Sequence, residues 1–328
     1  MIPDTRRVLR IEEFGAPSVL NEIVEPLPTL KPEDVLIKVT AVGVNFGDTM
    51  VRRGEYRRNQ PLPHVLGMEV AGVVLLSPVG SALRPGTHVV AFMEQGGGYT
   101  DYAIAPRELV FPVSSEMAGC DVAAAFLQGV TAWYAVHRYG LVSAGDTVLI
   151  TGASGGLGGT AVQLTREVGA RVIGTASTEE KRTNACTLGC ETALDPASAD
   201  LTDSIRLLTG GHGVNVVIDG VGGALFATAI AGLARNGRYV VVGSASQQPA
   251  MFDARQLLPR GQTIAGFVVR NVMDSDPREP ATALGEVLRR VRSGIVTLPQ
   301  VQMPFSEARR AHELIESRQV TGKILLIP

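Results

Sequence analysis

Lysine is scarce in this chain: of 30 basic residues in 328, only Lys31, Lys38, Lys181 and Lys323 are lysine. A lineage preference for arginine accounts for most of that, but it makes the place of each lysine worth following. Cysteine is as sparse. Cys120, Cys186 and Cys190 are odd in number and form no Cys-x-x-Cys pair, which argues against a disulfide framework or a four-cysteine zinc knuckle. Cys186 and Cys190 stand four apart with no further Cys or His nearby, so they read as packing residues. No apolar run approaches the roughly 18 residues of a membrane span. Residues Met1 to Arg7 lack the apolar core of a signal peptide, so a cytoplasmic protein with no membrane partner is expected. A net charge of −2 leaves no whole-chain attraction for nucleic acid.

What is present is ample apolar material. Hydrophobic residues make up 45% and charged residues 19%, a globular rather than a disordered balance. The length predicts about two domains. Before residue 118 the chain is a series of short β-branched runs, such as Val35–Val39 and Glu69–Val74, set among turn signals like Arg84-Pro85-Gly86. That pattern predicts a β-barrel-like region. From about residue 119 it changes to apolar strands alternating with helices. A helix is expected over Asp121–Tyr139, and strands over Thr147–Thr151, Arg171–Thr175, Val214–Ile218 and Arg238–Val242. Fully apolar strands between helices predict a doubly wound parallel sheet. Helices follow over Ala283–Arg292 and Ser306–Ser317. The run Lys323–Ile327 is expected to form a strand with no local partner, so it must pair elsewhere, and the N-terminal region is the expected partner.

The central motif is Thr151-Gly152-Ala153-Ser154-Gly155-Gly156-Leu157-Gly158-Gly159, placed directly after a strand and opening a helix. Glycines there allow a tight turn and let backbone approach a pyrophosphate, whose charge a helix N-terminus favours. The same glycine spacing occurs in short-chain dehydrogenases, which need a Tyr-x-x-x-Lys. The residues four after the six tyrosines are Gln60, Ala103, Pro106, Arg138, Ser143 and Gly243, and none is lysine. An NAD site would place Asp or Glu about 20 residues on, at the end of the second strand. Here that place reads Thr175-Ala176-Ser177-Thr178, followed by Lys181 and Arg182. A hydroxyl with a cation suits the 2′-phosphate of NADPH, a charge-assisted contact of roughly 1.5–3 kcal/mol. The competing reading is a solvated first turn in which Lys181 pairs with Glu179 or Glu180.

Further motifs run the length of the chain in order: Gly43-Val44-Asn45-Phe46-Gly47-Asp48, Arg53-Gly54-Glu55-Tyr56, Leu66-Gly67-Met68-Glu69-Val70-Ala71-Gly72-Val73, Gly98-Tyr99-Thr100-Asp101-Tyr102, Gln128-Gly129-Val130-Thr131-Ala132, the glycine loop, Gly174–Lys181 and Thr321-Gly322-Lys323-Ile324-Leu325. In this order they resemble the zinc-free quinone oxidoreductase (zeta-crystallin-like) branch of the medium-chain dehydrogenase/reductase superfamily. The resemblance implies an α/β fold. A GroES-like β-barrel catalytic domain, residues 1–118 plus 270–328, would enclose an inserted Rossmann domain, residues 119–269. It also gives the terminal strand a sheet to join.

Zinc-dependent relatives carry Cys where Asn45 stands and Gly-His-Glu where this chain has Gly67-Met68-Glu69. The region Leu127-Gln128-Gly129 offers no third ligand, and a catalytic zinc needs three. His64 stands alone, and His88, His137, His212 and His312 form no ligand spacing with it, so no metal is expected. Without that Lewis acid, what remains is hydride delivery to an acceptor that needs little activation, a quinone or an α,β-unsaturated carbonyl.

By resemblance, Asn45, Tyr56 and Thr131 face the nicotinamide or substrate. Asn45 could donate to a developing oxyanion and Tyr56 could supply a proton, although a loop tyrosine lining the cleft is the competing role. Asp48 is read as organising its loop. Ser154, Gly155, Gly156 and Leu157 would present the pyrophosphate loop, and Ser177 and Lys181 would hold the 2′-phosphate. Gly243, Ser244, Phe267 and Val269 are further cofactor contacts. Pro196 stands where relatives often have a cofactor-binding Tyr, which shifts weight onto Lys181. The substrate pocket depends on loops 52–63 and 268–280. A homodimer through the sheet edge near Thr263–Val269 is implied by resemblance alone. The alternative functions are an enoyl-thioester reductase of lipid or polyketide metabolism and a non-catalytic NADPH-binding, crystallin-like protein.

Overall fold

The computed structural model describes residues 2–56, 60–276 and 279–328. The chain divides into two units, Met1–Leu127 with Pro299–Pro328, and Gln128–Leu298.

In the first unit the β-branched runs do pair. Among the described residues a seven-stranded sheet runs in the order Gln300–Pro304, Lys323–Ile327, Asp34–Val44, Glu69–Leu76, His88–Phe92 and Val110–Pro112, with Tyr102–Pro106 also paired to Asp34–Val44. A smaller antiparallel sheet joins Asn21–Pro26, Thr5–Ile11 and His64–Val65. The C-terminal run finds its partner here: it lies antiparallel to Asp34–Val44, with Ile324 opposite Val44 and Leu326 opposite Val42. Val35, Ile37, Val42, Val70, Val89 and Ile324 meet in one core. That burial of apolar surface, at about 25 cal/mol per Å², is the main force closing the unit.

In the second unit, six parallel strands take the order Thr192–Leu194, Arg171–Thr175, Thr147–Ile150, Val214–Asp219, Leu233–Val241 and Thr263–Gly266. The chain starts in the middle, winds out one way, then returns to wind the other. Thr147–Ile150 and Val214–Asp219 therefore flank the point where strand order reverses, and ligands of such sheets bind outside the carboxyl ends of those strands. Every residue of Thr147–Ile150 is buried, as a strand covered on both faces requires.

Several elements depart from the sequence expectations. The helix expected over Asp121–Tyr139 is three pieces: Gly119–Ala125, Leu127–Tyr134, and a wider π-type turn over Ala135–Tyr139. The break at Phe126 has a cause distant in sequence, because the Leu127 amide donates to Glu69 Oε2 at 2.9 Å. The strand expected from Arg238 begins at Leu233, its pairing interrupted by an irregularity opposite Val214–Val216. Residues 119–127 cluster with the first unit, where Gly119 packs against Thr40. Residues 270–298 cluster with the second, where Val287 packs on Gly129.

Candidate active site

The glycine motif opens the helix Gly156–Glu167 at the carboxyl end of Thr147–Ile150. Backbone bonds from Thr151 N to Ile218 O and from Ala153 N to Thr175 O stitch it to the strands on either side. Its close turn depends on glycine, since a Cβ at Gly158 would collide with Gly152 O. Gly155 is the N-cap and brings no side chain to cap the first turn, whose amides have no intrahelical partner. Those donors suit a pyrophosphate, and so the cradle fits a dinucleotide. Ser154 is buried at 4% exposure, while Gly155, Gly156 and Leu157 are half-buried at the surface of the turn.

Beneath the cradle lies a residue that the sequence reading missed. Asp219 is fully buried at the end of its strand and accepts from Thr151 Oγ1 and Tyr239 OH, each at 2.7 Å. It also accepts from the amides of Val221 and Gly222. One carboxylate thus ties three neighbouring strands and shapes the turn after its own. Burial beside this carboxylate pushes the Tyr239 phenol well up, so it remains a donor. The loop of Gly243 and Ser244 is laid along that turn through Ala245 N to Gly220 O and Ser246 N to Val221 O.

At the end of Arg171–Thr175 no acid follows. Ser177 is exposed, and Thr178 caps the helix Glu179–Leu188 by accepting from the Lys181 amide. Lys181 sits in the first turn, half-buried. Arg182 donates to Ala176 O and faces Asp195 at 3.8 Å. The Phe267 ring stacks on Tyr139 at 4.3 Å between centroids and is buried, as is Val269. A cofactor contact there would come from backbone. Thr131 is 9% exposed on Leu127–Tyr134.

Asn45 and Tyr56 belong to the first unit. Asn45 caps the helix Phe46–Arg52 and sits in a buried polar network. Its Oδ1 accepts from Lys323 Nζ at 2.6 Å, and its Nδ2 donates to Glu69 Oε1 at 2.8 Å and to Gly43 O at 3.4 Å. Lys323 also pairs with Glu69 at 2.5 Å, with side-chain exposures of 2% and 0%. Gly43 is required, since a Cβ there would collide with the Glu69 carboxylate. An Asn45 donation to a substrate oxygen would have to replace the long bond to Gly43. Asn45 N in turn donates to Asp48 Oδ2 at 2.8 Å.

Asp48, Tyr56, His64, Met68 and Glu94 line a cleft of about 240 Å³, counting its open mouth. Tyr56 lies over Gly47, where a Cβ would come within 3.5 Å of the ring, and it is 43% exposed. Residues 57–59, in the loop given to the substrate pocket, lie outside the described residues, as do 277 and 278 of the second loop. Among the described residues no group of three His, Cys, Asp or Glu is placed to hold a metal ion. Lys323, Glu69 and Asp219 were all visible as charges at the ends of apolar strand runs, a signal of buried groups that need polar partners.

Comparison with known proteins agrees with this fold. Residues 31–115 match the alcohol dehydrogenase GroES-like domain, and residues 156–286 match the family described as zinc-binding dehydrogenase. The quinone oxidoreductase of Sus scrofa is 32% identical over 97% of this chain and 97% of its own. The quinone oxidoreductase of Escherichia coli, solved in complex with NADPH, superposes with a TM-score of 0.92 at 28% identity, covering 99% of this chain and 100% of that one. A mycobacterial protein complexed with NADPH gives a TM-score of 0.92 at 32% identity, over 98% and 100%.

Proposed function

This chain belongs to the quinone oxidoreductase branch of the medium-chain dehydrogenase/reductase superfamily, and from that premise we propose that it is an NADPH-dependent reductase of quinones or α,β-unsaturated carbonyl compounds. It is an oxidoreductase with a nicotinamide-binding fold; the choice of cofactor and acceptor is the proposal. The observation that carries it is the second-strand terminus, where Ser177 and Lys181 stand in place of an acid. A carboxylate there would repel a 2′-phosphate, whereas a hydroxyl and an ammonium attract it.

NADPH, when bound, supplies a hydride. The glycine-loop amides would hold its pyrophosphate, and Lys181 and Ser177 would hold the 2′-phosphate. Gly243 and Ser244, at the same strand ends, and Thr131 would be further contacts. In the first unit, Asn45 is held in one orientation by Lys323 and Glu69, and offers its amide to the negative oxygen that develops on the acceptor. Tyr56, with its ring packed and its edge exposed, gives a proton to the reduced acceptor. Quinones and enones suit this apparatus because charge arriving with the hydride spreads onto their own oxygen.

Turnover with 9,10-phenanthrenequinone and a panel of enones tests the reading. NADPH oxidation that depends on acceptor is expected. NADPH binding with no oxidation by any of these acceptors would replace the enzyme with a dinucleotide-binding protein.

A further inference from the structure

Asp48 has no role in that scheme, yet its surroundings are unusual. The side chain is 1% exposed and stands on the wall of the cleft that Tyr56 also lines. Its Oδ2 accepts from the Asn45 amide. Its Oδ1 is buried with no hydrogen-bond partner among the described residues. A carboxylate oxygen left unpaired in a dry site costs free energy, whereas a carboxylic acid carries its own donor hydrogen there. Among the described residues no cation pairs with it directly. The Lys323 ammonium is already engaged by Glu69 and Asn45, and the Glu69 carboxylate disfavours a second negative charge nearby.

We propose that Asp48 is the proton store of the cleft: its carboxyl holds the proton that the reduced acceptor takes up, passed on through Tyr56. Asp48 then acts through another residue and touches neither acceptor nor cofactor. The inference rests on the reading of the reaction as hydride transfer to an enone or quinone. With an enone the hydride and its electron pair form a C–H bond at the β-carbon, and the displaced π electrons move onto the acceptor oxygen, giving an enolate. The Tyr56 hydroxyl gives its proton to the enolate, and Asp48 Oδ1–H re-protonates the phenolate. Asp48 is left as a carboxylate and recovers a proton from solvent through the open mouth of the cleft. The nicotinamide is oxidised by two electrons and the acceptor is reduced by two.

The electrostatics support such a store. Burial, above all, pushes the Asp48 carboxyl up to about 7, against the Asn45 amide, the Lys323 charge and the Gly67 amide, and with the help of Glu69. Among the described residues, the other titratable groups around it are Tyr99, which feels its charge, and His64, Glu94 and Tyr56 of the cleft. An acid poised near neutrality gives up and regains a proton at comparable cost.

Asp48→Asn keeps an acceptor for the Asn45 amide and removes the proton. With an enone and saturating NADPH, wild-type kcat is expected to fall as pH rises through about 7. In the variant kcat should drop about 100-fold and lose that limb, while KM for NADPH and the melting temperature stay in place. A variant that keeps the wild-type rate or limb overturns the proposal. Infrared titration of the wild-type chain supplies a readout independent of turnover and of whether the variant folds. A neutral carboxyl band persisting at pH 6 and vanishing near pH 8 is expected, and its absence at pH 6 overturns the proposal. Wild-type protein that reduces no acceptor, yet shows the band, would instead sink the assigned reaction and leave Asp48 as a buried acid.

Discussion

Two side chains carry most of the chemical reading. Lys181 is one of four lysines, and it lies in the first turn after the strand where an NAD site would show an acid. Lys181→Ala should weaken NADPH by roughly ten- to a hundredfold, from one charge-assisted contact, and leave NADH unchanged. Equal losses for both cofactors, measured by fluorescence titration, would return Lys181 to a solvated helix turn. Tyr56→Phe should slow enone reduction by roughly tenfold or more and quinone reduction less, since a hydroquinone oxygen is protonated readily by water. Equal enone rates for the variant and the wild type would make Tyr56 a lining residue. The positions of these two groups were legible because each sits in a local motif. The partners of Asn45 were not, because Glu69 and Lys323 lie 24 and 278 residues away from it along the chain.

At the scale of elements, the terminal strand does more than complete a sheet. It places Lys323 among Asn45 and Glu69, and the Glu69 carboxylate in turn takes the Leu127 amide and breaks the helix there. Apolar periodicity predicted a strand over 323–327 and a continuous helix over 121–139. The strand survived because its apolar run suffices to define it, and the helix did not because one distant carboxylate competes for its backbone. Lys323→Met should lower unfolding stability by about 3–5 kcal/mol, because it leaves Glu69 buried without its cation. Adding Glu69→Gln to that variant should recover part of the loss. Urea unfolding checks both, and a single variant within about 1 kcal/mol of wild type would mean that the pair is effectively solvated.

For the whole molecule, both fold classes were legible in composition and periodicity, while the limits of the two units were not. Helix Glu279–Arg292 joins the second unit through the packing of Val287 on Gly129, a contact that no local pattern announces. The pH dependence of stability is likewise set by buried groups with distant partners. His312 is fully buried, with its Nε2 at 2.9 Å from Tyr99 OH. Burial first, then the Arg52 and Arg53 charges, push it down to about 3. Between that value and the unfolded value near 6.5 the unfolded chain binds the proton and the folded chain does not. Stability is therefore full above about pH 6.5 and is lost as pH falls toward 3, by on the order of 4 kcal/mol. Asp48, raised to about 7, works in the opposite direction, its contribution being lost as pH rises from about 3.8 to 7. His312→Gln should flatten the acid limb of urea midpoints measured against pH, and an unchanged limb would place its cause elsewhere.

The proposed reaction passes a hydride from NADPH to an activated acceptor, and an isotope label follows that hydride into the product. With NADPH deuterated at the hydride position of the nicotinamide and an enone acceptor in ordinary water, the product should carry deuterium at the β-carbon and solvent hydrogen at the α-carbon. NADPH oxidation that leaves the product unlabelled at the β-carbon would contradict the account.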